Sequence, residues 1–165
     1  MTVASLMLFG ASARADELPE YRLKAAFIYN FIAYTEWPAE TGSTLNLCIQ
    51  GADPFGKEID GLQGKVVAGR TIALARKVAG DSLKDCQVVF IASSVINSLP
   101  HLLEGVRGQP VLTVADSPGA MRRGVMLNMN ISQGKVTFDA NLLAARGARL
   151  QLSSKLLRLA TEVQQ

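Results

Sequence analysis

Two short stretches constrain this chain more than any other feature. Cys86-Gln87-Val88-Val89-Phe90-Ile91-Ala92 is apolar at every position but one, and Pro110 to Ala115 is nearly as apolar. Runs of this length, rich in β-branched and aromatic residues, read as strands buried on both faces. Such strands belong in the middle of a parallel sheet, so the chain must also supply helices to cover it.

The rest of the chain supplies them in alternation. Leu45 to Gln50 is a candidate strand, and Arg70 to Lys77 alternates as another. Asp53-Pro54 sets a capping side chain ahead of a proline, which predicts a short helix through Lys57 to Leu62. Ser93-Ser94 is placed to cap a helix through Val95, Ile96, Leu99, Leu102 and Leu103. Asp116-Ser117-Pro118 repeats the device before a turn at Met121 to Gly124. Strand and helix alternate up to residue 116, which predicts a parallel sheet with helices on both faces. Upstream, Leu23, Phe27, Phe31 and Tyr34 recur at helical spacing, with Ile28 and Ile32 widening the stripe. Trp37-Pro38 is expected to stop that helix, because a residue before proline leaves the α region.

Beyond residue 116 the pattern changes. Val125 to Ile131 and Lys135 to Asn141 flank Ser132-Gln133-Gly134, a hairpin signal. Leu142 to Gly147 reads as one or two helical turns. Leu150 to Val163 reads as an amphipathic helix with Leu152, Leu156, Leu159 and Val163 inward. The expected architecture is three-layer α/β, flavodoxin-like or Rossmann-like, with a mostly parallel sheet and a C-terminal antiparallel hairpin.

Charge is unevenly spread. The net charge is +3, and residues 105 to 165 hold 8 basic against 3 acidic side chains. Arg149, Lys155 and Arg158, outward on the expected last helix, are the candidate residues for contacting an acidic partner. Nucleic acid is not indicated, because no aromatic residues interleave the basic ones. At the other end, Val3 to Ala11 is an apolar run closed by Ala13-Arg14-Ala15, a small-x-small cleavage pattern. Residues 1 to 15 therefore read as a secretory signal, short of a basic leader, and 16 to 165 as one domain. No apolar stretch is long enough to span a bilayer.

Export would carry Cys48 and Cys86 into an oxidising space, where two cysteines form a candidate disulfide. If their strands were neighbours with aligned ends, the two would be offset by about three residues, or about 10 Å. A bond then needs staggered strands or a bend near Cys86; otherwise the pair are buried thiols.

Catalytic chemistry is not legible. His101 is the only histidine, and no serine lies in a G-x-S-x-G turn. Gly61 to Lys65 falls short of a phosphate loop at Ile59 and Val66. The reading is a non-enzyme with no metal and no cofactor. The polar residues at the expected carboxyl ends of strands are Asp53, Ser93, Ser94 and Asp116. They form a candidate ligand pocket by the general rule for open α/β sheets. Helix capping also accounts for all four.

Taken in order, several blocks carry a resemblance. They are Lys24-Ala25-Ala26-Phe27-Ile28-Tyr29-Asn30-Phe31 with Glu36-Trp37-Pro38, and Leu47-Cys48-Ile49 with Gly51, Asp53, Pro54 and Phe55. Cys86 to Ile91, Val111 to Val114, Val136 to Asn141 and Leu152 to Leu157 complete the set. Over about residues 20 to 160 the chain resembles the YfiR family of periplasmic proteins. The resemblance implies a repressor that binds the periplasmic sensor domain of a membrane-bound, YfiN-like diguanylate cyclase and holds down cyclic-di-GMP synthesis and biofilm formation. It also implies a homodimer and a Cys48–Cys86 disulfide linking redox state to stability. A second cysteine pair found in some members is absent here. A different class of function, a periplasmic small-molecule receptor for another membrane signalling protein, rests on the four strand-end residues.

Overall fold

The computed structural model describes residues 17–165; the segment read as a signal lies outside them. Its helices are α1 (Glu17–Ala33), α2 (Leu99–Gly105), α3 (Leu142–Gly147) and α4 (Ser154–Leu159). Its strands are β1 (Thr35–Glu36), β2 (Thr44–Gln50), β3 (Val66–Val67), β4 (Arg70–Lys77), β5 (Val88–Ile91), β6 (Leu112–Ala115), β7 (Leu127–Ser132), β8 (Lys135–Asn141), β9 (Gln151–Leu152) and β10 (Glu162–Gln164).

The two apolar runs become β5 and β6, buried at every position and central in an eight-stranded sheet of order β10-β8-β7-β6-β5-β2-β4-β3. Strands β4, β2, β5, β6 and β7 run parallel, and β7–β8 is the expected antiparallel hairpin. Apolar side chains on the two faces form separate cores. One holds Ile28, Phe31 and Ile32 of α1 against Phe90 and Phe138; the other holds Leu99 beneath Val89 and Ile91. The architecture is therefore the α/β one expected, with a mostly parallel sheet.

Helical cover is thinner than the alternation suggests. Between β2 and β4 the chain makes only two single 3₁₀ turns, Gly56–Glu58 and Asp60–Leu62, in place of the expected helix. The helix expected from Ser93 begins as a 3₁₀ segment, Ser93–Ser98, before α2. None of these 3₁₀ segments has a side-chain cap hydrogen bond at its start, and a turn without one is poorly placed to nucleate a longer helix.

The buried face of α1 also differs from the expected stripe. Ala25, Ile28, Phe31 and Ile32 are buried, whereas Leu23 and Tyr34 are exposed. The face is rotated because it seats Phe31 edge-on against Phe138, with ring centroids 5.0 Å apart. This rotation turns Lys24 inward. The helix ends at Ala33 rather than at Trp37, because Thr35–Glu36 leave it to pair with Gln151–Leu152.

That same pairing breaks the expected C-terminal helix. Leu152 lies in β9, the Ser153 hydroxyl accepts from the Leu156 N–H to cap α4, and β10 then runs parallel to β8. Ladder hydrogen bonds at the open edge of β8 override the helical pattern. Leu156 is buried, but Leu159 is 71% exposed, contrary to the inward placement expected for it.

Cys48 and Cys86 are joined. Cys48 stands opposite Val89 in the β2–β5 ladder, so the three-residue offset expected of aligned strands is present. A turn closed by the Cys86 N–H on the Leu83 carbonyl bends the chain before β5 begins. The bend brings the Cα atoms to 6.0 Å, within the span of a disulfide. Closing a loop over a separation of 38 residues stabilises the fold by about 4 kcal/mol on chain-entropy arithmetic.

The placement of α4 yields a contrast. Leu156→Ala is expected to cost about 2–5 kcal/mol in chemical denaturation as a core cavity. Leu159→Ala should stay within about 0.5 kcal/mol. Equal effects at the two positions would contradict the observed orientation.

Candidate functional site

The four strand-end residues do not converge. At the point where strand order reverses, between β2 and β5, the crevice is closed rather than open. The Ser94 hydroxyl accepts from the Ala52 N–H at 2.9 Å. Gly51 has φ +96°, and a Cβ there would lie 2.7 Å from that hydroxyl, so only glycine permits the closure. Asp53 is committed elsewhere. It accepts from the Phe55 N–H at 2.7 Å and pairs with Arg76 at 2.7 Å. Arg76 also reaches Asp60 at 2.7 Å, which fastens the 3₁₀ turns to β4.

Ser93 and Asp116 do come together, at the carboxyl ends of β5 and β6. They line a cavity of 330 Å³ with Glu20, Tyr21 and Lys24 of α1 and Asn130 of β7. Neither serves as a helix cap. The Asp116 carboxylate faces the first turns of α1 instead. Its Oδ2 accepts from Lys24 Nζ at 2.9 Å and from the Tyr21 hydroxyl at 3.1 Å. Lys24 Nζ donates as well to Glu20 at 2.5 Å. Side chains of Lys24 and Asp116 are only 4% and 5% exposed, so this is a buried ion pair.

Burial alone would lower the Lys24 pKa. Its hydrogen bonds to Glu20 and Asp116 outweigh that and hold it above the ordinary lysine value. Burial of the phenol, with the neighbouring Asp116 carboxylate, pushes the Tyr21 pKa up to about 12. The group of Glu20, Lys24 and Asp116 carries a net charge of −1, and one carboxylate oxygen of Asp116 has no donor among the described residues. Such a cavity can hold a small polar molecule. It contains no nucleophile–base pair, and among the described residues no three histidine, cysteine, aspartate or glutamate side chains are grouped to hold a metal ion.

Of the four residues named from the sequence, Asp116 and Ser93 line one cavity, and their neighbours on α1 were not named. The available signal was Lys24 itself. It lies one turn ahead of Ile28 on the buried face, where an unpaired lysine is not tolerated.

The three candidate partner-binding cations are exposed but do not share one helix. Arg149 precedes β9 with a left-handed backbone, φ 60°, and is 2.8 Å from Glu40. Lys155 and Arg158 lie three apart on α4. Leu159 beside them and Leu143 on α3 are large apolar side chains left exposed.

The Tyr21 environment sets a pH dependence. A folded-state pKa raised above the unfolded value, about 10, favours the neutral phenol. That contribution to stability is complete below about pH 10 and is lost as pH rises toward about 12. Phenolate absorbance should therefore show one late-titrating tyrosine that Tyr21→Phe removes. If the late-titrating component persists in Tyr21→Phe, the contact of Tyr21 with Asp116 is wrong.

Comparison with known proteins places this geometry. A conserved domain protein from Vibrio cholerae O1 biovar El Tor shares the fold, with TM-score 0.59 and 10% identity, over 87% of this chain and 60% of that one. An ABC domain from Streptococcus pneumoniae, solved in complex with L-Trp, gives TM-score 0.57 and 8% identity over the same shares. This chain thus spans about 60% of the length of each. Both likenesses concern the fold alone. Among the described residues no helix is long and apolar enough to cross a membrane. The family model described as YfiR/HmsC-like matches residues 21–161, which takes in most of α1, the bonded cysteines, Asp116 and α4; the chain belongs to the YfiR/HmsC-like family.

Proposed function

We propose that this protein is a periplasmic repressor that binds the sensor domain of an inner-membrane, YfiN-like diguanylate cyclase and lowers cyclic-di-GMP synthesis. The family match over residues 21–161 carries the reading. The surface near the C-terminus supports it. Leu159 and Leu143 are exposed apolar anchors, and Lys155, Arg158 and Arg146 lie near them in the chain as a basic rim. Apolar anchors with a charged border are what a specific protein interface needs. A stable complex would bury about 1,200–2,000 Å² in total.

Repression requires more than contact. The repressor must bind the inactive conformation of the cyclase more tightly than the active one, since equal affinity shifts nothing. The disulfide fits a protein held in an oxidising compartment. Family resemblance further supports a homodimer, with release from the cyclase under envelope or redox stress. Arg149 takes a lesser part in this proposal than Lys155 and Arg158, because Glu40 already neutralises it.

A second reading is a periplasmic small-molecule receptor, and the cavity at Asp116 and Ser93 favours it. Deletion of the gene separates the two. The repressor reading expects cyclic-di-GMP and biofilm to rise, and only in strains that retain the cyclase. Unchanged cyclic-di-GMP, with no cyclase captured by the protein from solubilised membranes, would favour the receptor.

A further inference from the structure

A cavity of 610 Å³ opens at the end of β6 opposite to Asp116. Its origin is a failure of pairing. Strands β6 and β7 are matched only at Val114–Leu127 and Ala115–Asn128. Ahead of those pairs the Met126 N–H donates to the Thr113 hydroxyl at 3.0 Å instead of to a strand carbonyl. Gly124, with φ +111°, turns the chain away from β6, and a Cβ there would lie 3.0 Å from Leu103. The strands therefore splay.

The gap is walled from two directions. Leu103 of α2, which packs on one core, faces it, as do Ala144 and Ala148, which pack on the other. Val111 and Met126 complete an apolar interior. Charge enters only at the rim. Arg107 is neutralised by Glu104 at 2.8 Å, whereas among the described residues the Arg123 guanidinium makes a single polar contact, a 3.5 Å approach to the Ile96 carbonyl. The lining offers an apolar body one available cation.

We infer that this cavity binds a small amphipathic carboxylate, a medium-chain acyl anion, with its chain between α2 and α3 and its carboxylate on Arg123. A volume of 610 Å³ lies within the range of small-molecule sites. A peptide segment fits the chemistry less well. Its backbone would need donors and acceptors along its length, and the Thr113 hydroxyl is already engaged. The inference is independent of the repressor reading, since the site is distinct from Leu159 and from the Asp116 cavity.

Calorimetric titration of the full chain with dodecanoate tests it. Saturable binding is expected. Gly147 lines the cavity, does not have a positive φ, and a Cβ added there meets nothing within 4 Å. Gly147→Leu should thus narrow the cleft and cut the binding heat sharply in a chain that still melts cooperatively. Arg123→Gln should weaken dodecanoate about tenfold, the loss of one charge-assisted contact, while leaving uncharged dodecanol unaffected. Absence of dodecanoate binding would overturn the inference, as would binding indifferent to both variants. A dimer that Gly147→Leu converts to monomer would also overturn it, by showing that a second copy fills the cleft.

Discussion

Lys24 and Asp116 bury opposite charges against each other, and the position of α1 depends on that contact. An ion pair sheltered this well contributes little net stability relative to an apolar pair, but removing one partner costs about 3–5 kcal/mol because the other charge is stranded. The pair therefore acts as a locator. It sets the first turns of α1 over the carboxyl end of β6, with Glu20 and Tyr21 completing the hydrogen bonds. From there the register of the helix follows. Ile28, Phe31 and Ile32 meet Phe90 and Phe138, and the chain leaves α1 in position to pair β1 with β9.

Consequences reach the far end of the chain. Because β9 is drawn to β1, the last segment cannot continue as one helix, and α4 is left as a short capped unit between two strands. That arrangement puts Leu159 in solvent beside Lys155 and Arg158. The proposed partner surface is thus a product of sheet pairing rather than of helical amphipathicity. The disulfide secures a different region, tying β2 to the approach into β5, on the face covered by α2.

What was legible in the sequence was local and periodic. Buried strands such as Val88–Ile91 and Leu112–Ala115 announce themselves by unbroken apolarity, and the β7–β8 hairpin by its glycine-containing turn. The Cys86 bend was legible only as one of two ways, with staggered strands the other, in which the sulfurs could meet. Long-range partners were not legible. Nothing adjacent to Lys24 names Asp116, which is 92 residues away. Leu152 carries the helical pattern of its neighbours and yields to a strand partner supplied from residue 35. Asp53 and Ser94 have the residue types of a ligand site, yet their lone pairs are spent on Arg76 and on backbone N–H groups. Polar residues at strand ends mark a site only once their internal partners are known.

The most direct measurement is binding of the purified, oxidised protein to the isolated periplasmic domain of the diguanylate cyclase from the same cell, by biolayer interferometry, with Leu159→Gln as the comparison. Leu159 is 71% exposed, so the substitution should leave thermal stability unchanged. The account predicts saturable binding by the native chain and a loss of about tenfold or more in the variant, the size expected of a central apolar anchor. An absence of binding, or equal affinity for the two proteins, would contradict it.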